Sequence, residues 1–183
     1  ILQSEKIQEL YRALQNRQSV LIEDLWNAPK ALIAALAAEA SGKHVLILTG
    51  ASQEEVRLFH AFAYFTDTPV IDFPAWETLP GEQIAPSPDI VGERYRALKS
   101  IASSSRPHIV LSGLQACLQK LLPPGSFQDL YLSLEKGKSY PFDKLIDKLL
   151  SMGYQKCSLA GDKGEFAVRG GIIDIFPVSS PDP

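Results

Sequence analysis

The feature that most constrains this chain is an alternation. Four short apolar runs, "SVLIEDL" (19–25), "HVLILT" (44–49), "PVIDF" (69–73) and "HIVLS" (108–112), are separated by segments with helical spacing. A strand–helix–strand repeat of this kind requires crossover connections, so it predicts a parallel sheet with helices on both faces. "HVLILT" is apolar throughout, as strands buried on both faces of such a sheet are. The helices carry their own signals. Ile7, Leu10, Tyr11 and Leu14 recur at one-turn intervals. Pro29 suits the first turn of a helix continuing over Ala31–Ala40, which Ser41-Gly42 ends. Ser52 and Glu55 have the spacing of a capping box ahead of a helix reaching about Phe65. Ser87-Pro88 opens a helix with Val91, Tyr95 and Leu98 on one face, and Leu114–Leu122 reads as a short one.

The alternation stops at Pro123-Pro124-Gly125. Beyond it, "LYLSLEKG" (130–137) alternates as a strand. Phe142–Met152 has helical spacing with Leu145, Leu149 and Met152 inward, and Gly153 ends it. We therefore expect a parallel-sheet α/β domain over 1–122 and the beginning of a smaller α+β domain over 123–183. The densest stretch is "GEFAVRGGIIDIFP" (164–177). With Gly170-Gly171 as a two-residue hairpin turn, Arg169 pairs with Ile172, Val168 with Ile173, Ala167 with Asp174 and Phe166 with Ile175. One face, Phe166, Val168, Ile173 and Ile175, is wholly apolar. The other mixes Glu165, Ala167, Arg169, Ile172, Asp174 and Phe176.

Composition narrows the function. The formal net charge of −3 argues against general nucleic-acid coating, which needs clustered positive charge. Cys117 and Cys157 form no CxxC pair, and His44, His60 and His108 are scattered, so spacing gives no metal site. Free thiols fit a reducing, cytoplasmic setting. The longest apolar run, 31–38, is too short to cross a bilayer. A start without Met and an end on "SSPDP" suggest a piece of a longer protein. No catalytic set emerges: Ser52 and Ser112 have no base nearby in sequence, and Asp72, Glu77 and Glu82 read as solvated carboxylates near a strand end. Trp76 and Leu79 read as locking the Pro74–Pro88 loop onto its own domain. Arg94 and Arg96, beside Glu93, read as a solvated helix face.

A strand, a lysine-bearing turn and a helix also make the layout of a phosphate-binding P-loop. Aligned on Lys30, "DLWNAPKA" puts Asp24 and Pro29 where the loop needs glycines and Ala31 where it needs a hydroxyl. Asp24 repels phosphate, Pro29 has no N–H to donate, and Ala31 holds no magnesium. A surface lysine at a helix start is the simpler reading, and no catalytic or cofactor-binding residue is expected here.

"FPAWETLPGEQIAPSPDIVGERYRAL" (73–98) and, further on, "MGYQKCSLAGDKGEFAVRGGIIDIFP" (152–177) resemble the N-terminal region of the bacterial transcription-repair coupling factors, Mfd. The order of elements is also similar to that of UvrB, from which the degenerate P-loop and the short loop after Trp76 depart. The resemblance implies a degenerate P-loop, RecA-like domain followed by a UvrB-like second domain that docks UvrA and is truncated here. ATP and Mg would belong to the translocase of the parent protein, and RNA polymerase and DNA would be met by its other parts. Of the UvrA-facing residues, the resemblance implies Arg169, with Glu165 and Phe166 in the same motif. The position of a second arginine holds Gln155, and Lys156 next to it falls on the opposite strand face. The alternative is a UvrB-like ATPase or helicase half that binds nucleotide through Lys30, or binds DNA.

Overall fold

The computed structural model describes residues 4–50, 52–78, 81–121, 123–126 and 131–180. The chain divides into two compact units, Ile1–Trp76 with Glu93–Gln119 and Glu77–Gly92 with Lys120–Pro183.

In the first unit, β1 (Val45–Thr49), β2 (Val70–Phe73) and β3 (Ile109–Gly113) form a parallel sheet in the order β1-β3-β2. The helices are α1 (Glu5–Gln15), α2 (Ala28–Ser41), α3 (Ser52–Phe62), α4 (Pro88–Ser103) and α5 (Leu114–Leu118). The first turn of α4 is grouped with the second unit. Local chemistry accounts for the ends. Pro29 lies in the first turn of α2, and Gly42 closes it with φ 60°, its N–H bonded to the Ala38 carbonyl. Such a left-handed residue costs glycine little. Ser87 caps α4: its carbonyl accepts from Val91 N–H, and its hydroxyl accepts from Ile90 N–H.

The central strand explains the core. Ile109 and Leu111 face a cluster with Ala31 and Ala38 of α2 and Leu58, Ala61 and Phe62 around α3. Val110 faces the other way, with Phe73, Ala97 of α4 and Ala116 of α5. Helices thus cover both faces, as the alternation predicts, in a mixed α/β arrangement.

Three expectations are corrected. Residues 19–25 form no strand. Val20, Leu21 and Ile22 are 43%, 84% and 39% exposed, and Arg17 and Asp24 interrupt extended backbone with φ of 56° and 57°. Among the described residues, the sheet therefore has three strands. Consequently β1 lies at an edge, and its Leu46 and Leu48 are exposed rather than covered. The short helix at 114 ends at Leu118, where Gln119 turns extended; Leu122 lies outside the described residues.

In the second unit, β4 (Gln155–Cys157), β5 (Glu165–Arg169) and β6 (Ile172–Phe176) form a sheet in that order. β4 runs parallel to β5, and β5 antiparallel to β6. α6 (Phe142–Ser151) buries Leu149, with Leu145 and Met152 half-buried beside it, and Gly153 leaves the helix at φ 86°. The expected strand at 130–137 is not formed over its described part, residues 131–137. There Tyr140 Oη instead accepts from Glu135 N–H and donates to the Ser133 carbonyl. Segment 77–92 is held within this unit. Lys163 pairs with Asp89, and Gly92 packs so closely that an added Cβ would lie 1.8 Å from the Val178 carbonyl oxygen.

Candidate partner-docking site

The hairpin has the register that the sequence predicts, from Glu165 opposite Phe176 to Arg169 opposite Ile172. Gly170 takes φ 58°, while Gly171 keeps a negative φ. That combination matches a II′ turn, where only the first central residue needs positive φ. Cross-strand partners share a face, which fixes two surfaces. Phe166 is fully buried on the first, with Val168, Ile173 and Ile175 half-buried around it. The structure thus puts Phe166 in the core and not at the surface.

The second face carries the chemistry. Arg169 donates to the Asp174 carboxylate at 2.7 Å, yet its side chain is 64% exposed. An exposed pair of this kind is worth about 0–1 kcal/mol, so Asp174 holds the guanidinium only weakly. Ile172, directly opposite, is 64% exposed. A basic side chain and a bare aliphatic one therefore stand together beside the turn. Glu165 lies at the other end of the strand. Its Oε2 accepts from Gly161 and Asp162 N–H, and its Oε1 accepts from the Cys157 thiol. The Asp162 N–H, the Cys157 thiol and the Gly161 N–H hold its carboxyl below the usual glutamate range. Glu165 in turn pushes the Cys157 thiol up, first by accepting its hydrogen bond.

Gln155 and Lys156 are both exposed in β4. Gln155 is in register with Glu165 and so belongs to the Arg169 face; Lys156 is in register with Phe166 and belongs to the opposite one. Gln155 and Arg169 are separated by four strand residues, roughly 13 Å. The structure thus puts Arg169, Ile172 and Asp174 together, with Gln155 at a distance on the same face.

The remaining residues singled out from sequence fall in the first unit. Lys30 Nζ donates to Glu54 Oε1 at 2.5 Å, and Ala31 is fully buried beneath it in the core. Pro29 is inside the helix and Asp24 in a left-handed turn.

Arg94 corrects the reading of a solvated helix face. It is 1% exposed, with its guanidinium 4.3 Å from the Phe73 ring centroid and 4.2 Å from that of Trp76. Its Nη1 donates to the Pro74 carbonyl at 2.5 Å and to Gln119 Oε1 at 3.3 Å. Gln119 Oε1 also accepts from Trp76 N–H. Trp76 is therefore locked onto its own unit, and Leu79 lies outside the described residues. A signal was present: position 94 shares one helical stripe with Ala97, Leu98 and Ile101, all packed in the core.

Comparison with known proteins agrees with the motifs. Residues 132–183 match the family model described as the UvrB interaction domain. A transcription-repair-coupling factor of Mycobacterium tuberculosis is 36% identical over 117 residues, 60% of this chain and 9% of that protein. That of Escherichia coli K12 is 29% identical over 163 residues, 89% of this chain and 14% of that protein. That of Staphylococcus epidermidis is 27% identical over 179 residues, 97% of this chain and 15% of that protein. The chain thus spans only about a tenth to a seventh of the length of these relatives. It belongs with the transcription-repair-coupling factors, as a UvrB-like segment that carries a UvrB interaction domain at residues 132–183.

Proposed function

We propose that this chain is the adaptor module through which a transcription-repair coupling factor recruits UvrA to RNA polymerase stalled at a DNA lesion. The observation that carries the reading is the exposed Arg169–Ile172 pair on the β5–β6 hairpin, inside the segment matching the UvrB interaction domain. Arginine is among the residues enriched at interface hot spots, and a bare aliphatic neighbour adds apolar area to bury beside it. In this reading Arg169 exchanges Asp174 for an acidic group of UvrA, while Ile172 buries its apolar surface. Gln155 lies at the margin of the same face, and Glu165 and Phe166 hold the hairpin in shape. Lys156 stays outside the contact.

The first unit is then a RecA-like domain whose phosphate loop has decayed, a cytoplasmic scaffold without catalysis of its own. ATP hydrolysis, translocation, and the contacts to RNA polymerase and DNA belong to the rest of the parent protein. Engagement of Lys30 by Glu54 favours this reading over a nucleotide-binding half, and the net charge of −3 favours it over a DNA binder. The test is retention of this chain on immobilised UvrA. Wild type is expected to be retained and Arg169→Glu to be lost; equal retention of the two would overturn the assignment.

A further inference from the structure

Across the β5–β6 ladder Arg169 stands opposite Ile172, and Asp174 stands opposite Ala167. Arg169 and Asp174 are therefore diagonal neighbours on one face, and Arg169 Nη2 reaches Asp174 Oδ2 at 2.7 Å. Among the described residues, the Asp174 carboxylate accepts from no other donor. Glu165, the other acid of this face, differs: it is occupied by the Gly161 and Asp162 N–H groups and by the Cys157 thiol. Asp174 thus has no side-chain bond that shapes the turn, and its one partner is the arginine. The pair is also incomplete. A guanidinium has five N–H donors and holds a carboxylate best through two parallel bonds, but only one Arg169 nitrogen donates to Asp174. The side chains are 64% and 38% exposed, so the pair stands in reach of a partner. A carboxylate that takes two donors makes the better bond, yet it meets the charge of Asp174 beside the same guanidinium. A neutral acceptor, such as an amide, finds that guanidinium already neutralised and has no charge with which to compete for it.

We propose that Asp174 is an internal competitor that sets the affinity of the docking face. It engages Arg169 in the free chain, is displaced by a carboxylate of the partner, and holds binding below what the bare arginine would give. This inference rests on the reading of Arg169 as a UvrA contact.

The test is the affinity of UvrA for this chain, measured by calorimetry in low salt and again near 1 M salt, where charges are screened beyond about 3 Å. Asp174→Asn is expected to tighten binding by about two- to fivefold in low salt, the range that the worth of an exposed pair allows. The gain should shrink in high salt, because the freed arginine then pairs with a partner carboxylate through screened charge. Asp174→Thr, a residue suited to a strand, should behave alike. Asp147→Asn removes the same charge from an exposed position on α6 and should leave the affinity unchanged. Unchanged or weaker binding by both Asp174 variants, in a series where Arg169→Glu loses binding, would overturn this inference and leave the docking reading standing. Equal tightening by Asp147→Asn, or a gain independent of salt, would overturn it too. Undiminished binding by Arg169→Glu would overturn the docking reading itself, and this inference with it.

Discussion

At the scale of the residue, Arg94 is the most demanding group in the chain. Its Nε and Nη2 are buried without hydrogen-bond partners, and burial pushes its pKa down. The ring faces of Phe73 and Trp76 offset that desolvation, as cation–π contacts do when shielded from water, by roughly 2 kcal/mol or more. A planar guanidinium is essential to the sandwich, and an ammonium does not stack between rings. Arg94→Lys is therefore expected to destabilise the first unit by about 2 kcal/mol in urea unfolding. A change below about 0.5 kcal/mol would mean the stacking contributes little. The sequence points Arg94 to solvent because arginines are seldom buried unless paired with an acid, and nothing local reveals that Phe73 and Trp76 come together around it. The strand face of Arg169, by contrast, is legible in the sequence, because hairpin register follows from the turn.

At the scale of the element, the same division holds. The helices α1, α2, α4 and α6 and the strands β1 to β3 are legible because spacing, caps and glycine stops are local. The runs at 19–25 and 130–137 have strand composition but form no strand where described, since a strand exists only if another offers its hydrogen bonds. The start of α4 has a contact that only the structure reveals. Ordinarily, glycine inside a helix is worse than alanine by roughly 0.5–1 kcal/mol. Gly92 should reverse that sign, because its Cβ would meet the backbone oxygen of Val178 at 1.8 Å and the carbonyl carbon at 2.6 Å. Gly92→Ala is expected to destabilise the second unit by about 1–3 kcal/mol, the range for overpacking. A stabilised variant in chemical unfolding would contradict the packing described for segment 77–92.

At the scale of the whole molecule, the shifted carboxyls give the two units different expected responses to acid. In the second, the pKa of Glu165 is lowered, by the Asp162 N–H first, and that of Glu77 by its bonds to Ser87. A depressed carboxyl contributes stability above its ordinary value of 4.5, and that stability is lost as pH falls through the folded pKa. In the first unit, Glu55 and Asp72 are raised, so their ionisation opposes folding at neutral pH and the penalty is relieved as pH falls. Amide exchange on acidification below 4.5 should show the second unit losing protection before the first; the reverse order would contradict these assignments. One pair of substitutions separates the two faces of the second sheet. Arg169 and Lys156 are both exposed basic residues on opposite faces of one sheet, so reversing either charge changes the net charge equally. The decisive measurement is the affinity of UvrA for Arg169→Glu and for Lys156→Glu. A loss of roughly 30-fold or more is expected for Arg169→Glu, a hot-spot effect of about 2 kcal/mol, and near wild-type affinity for Lys156→Glu. Equal losses, or a loss confined to Lys156→Glu, would contradict the docking reading of Arg169.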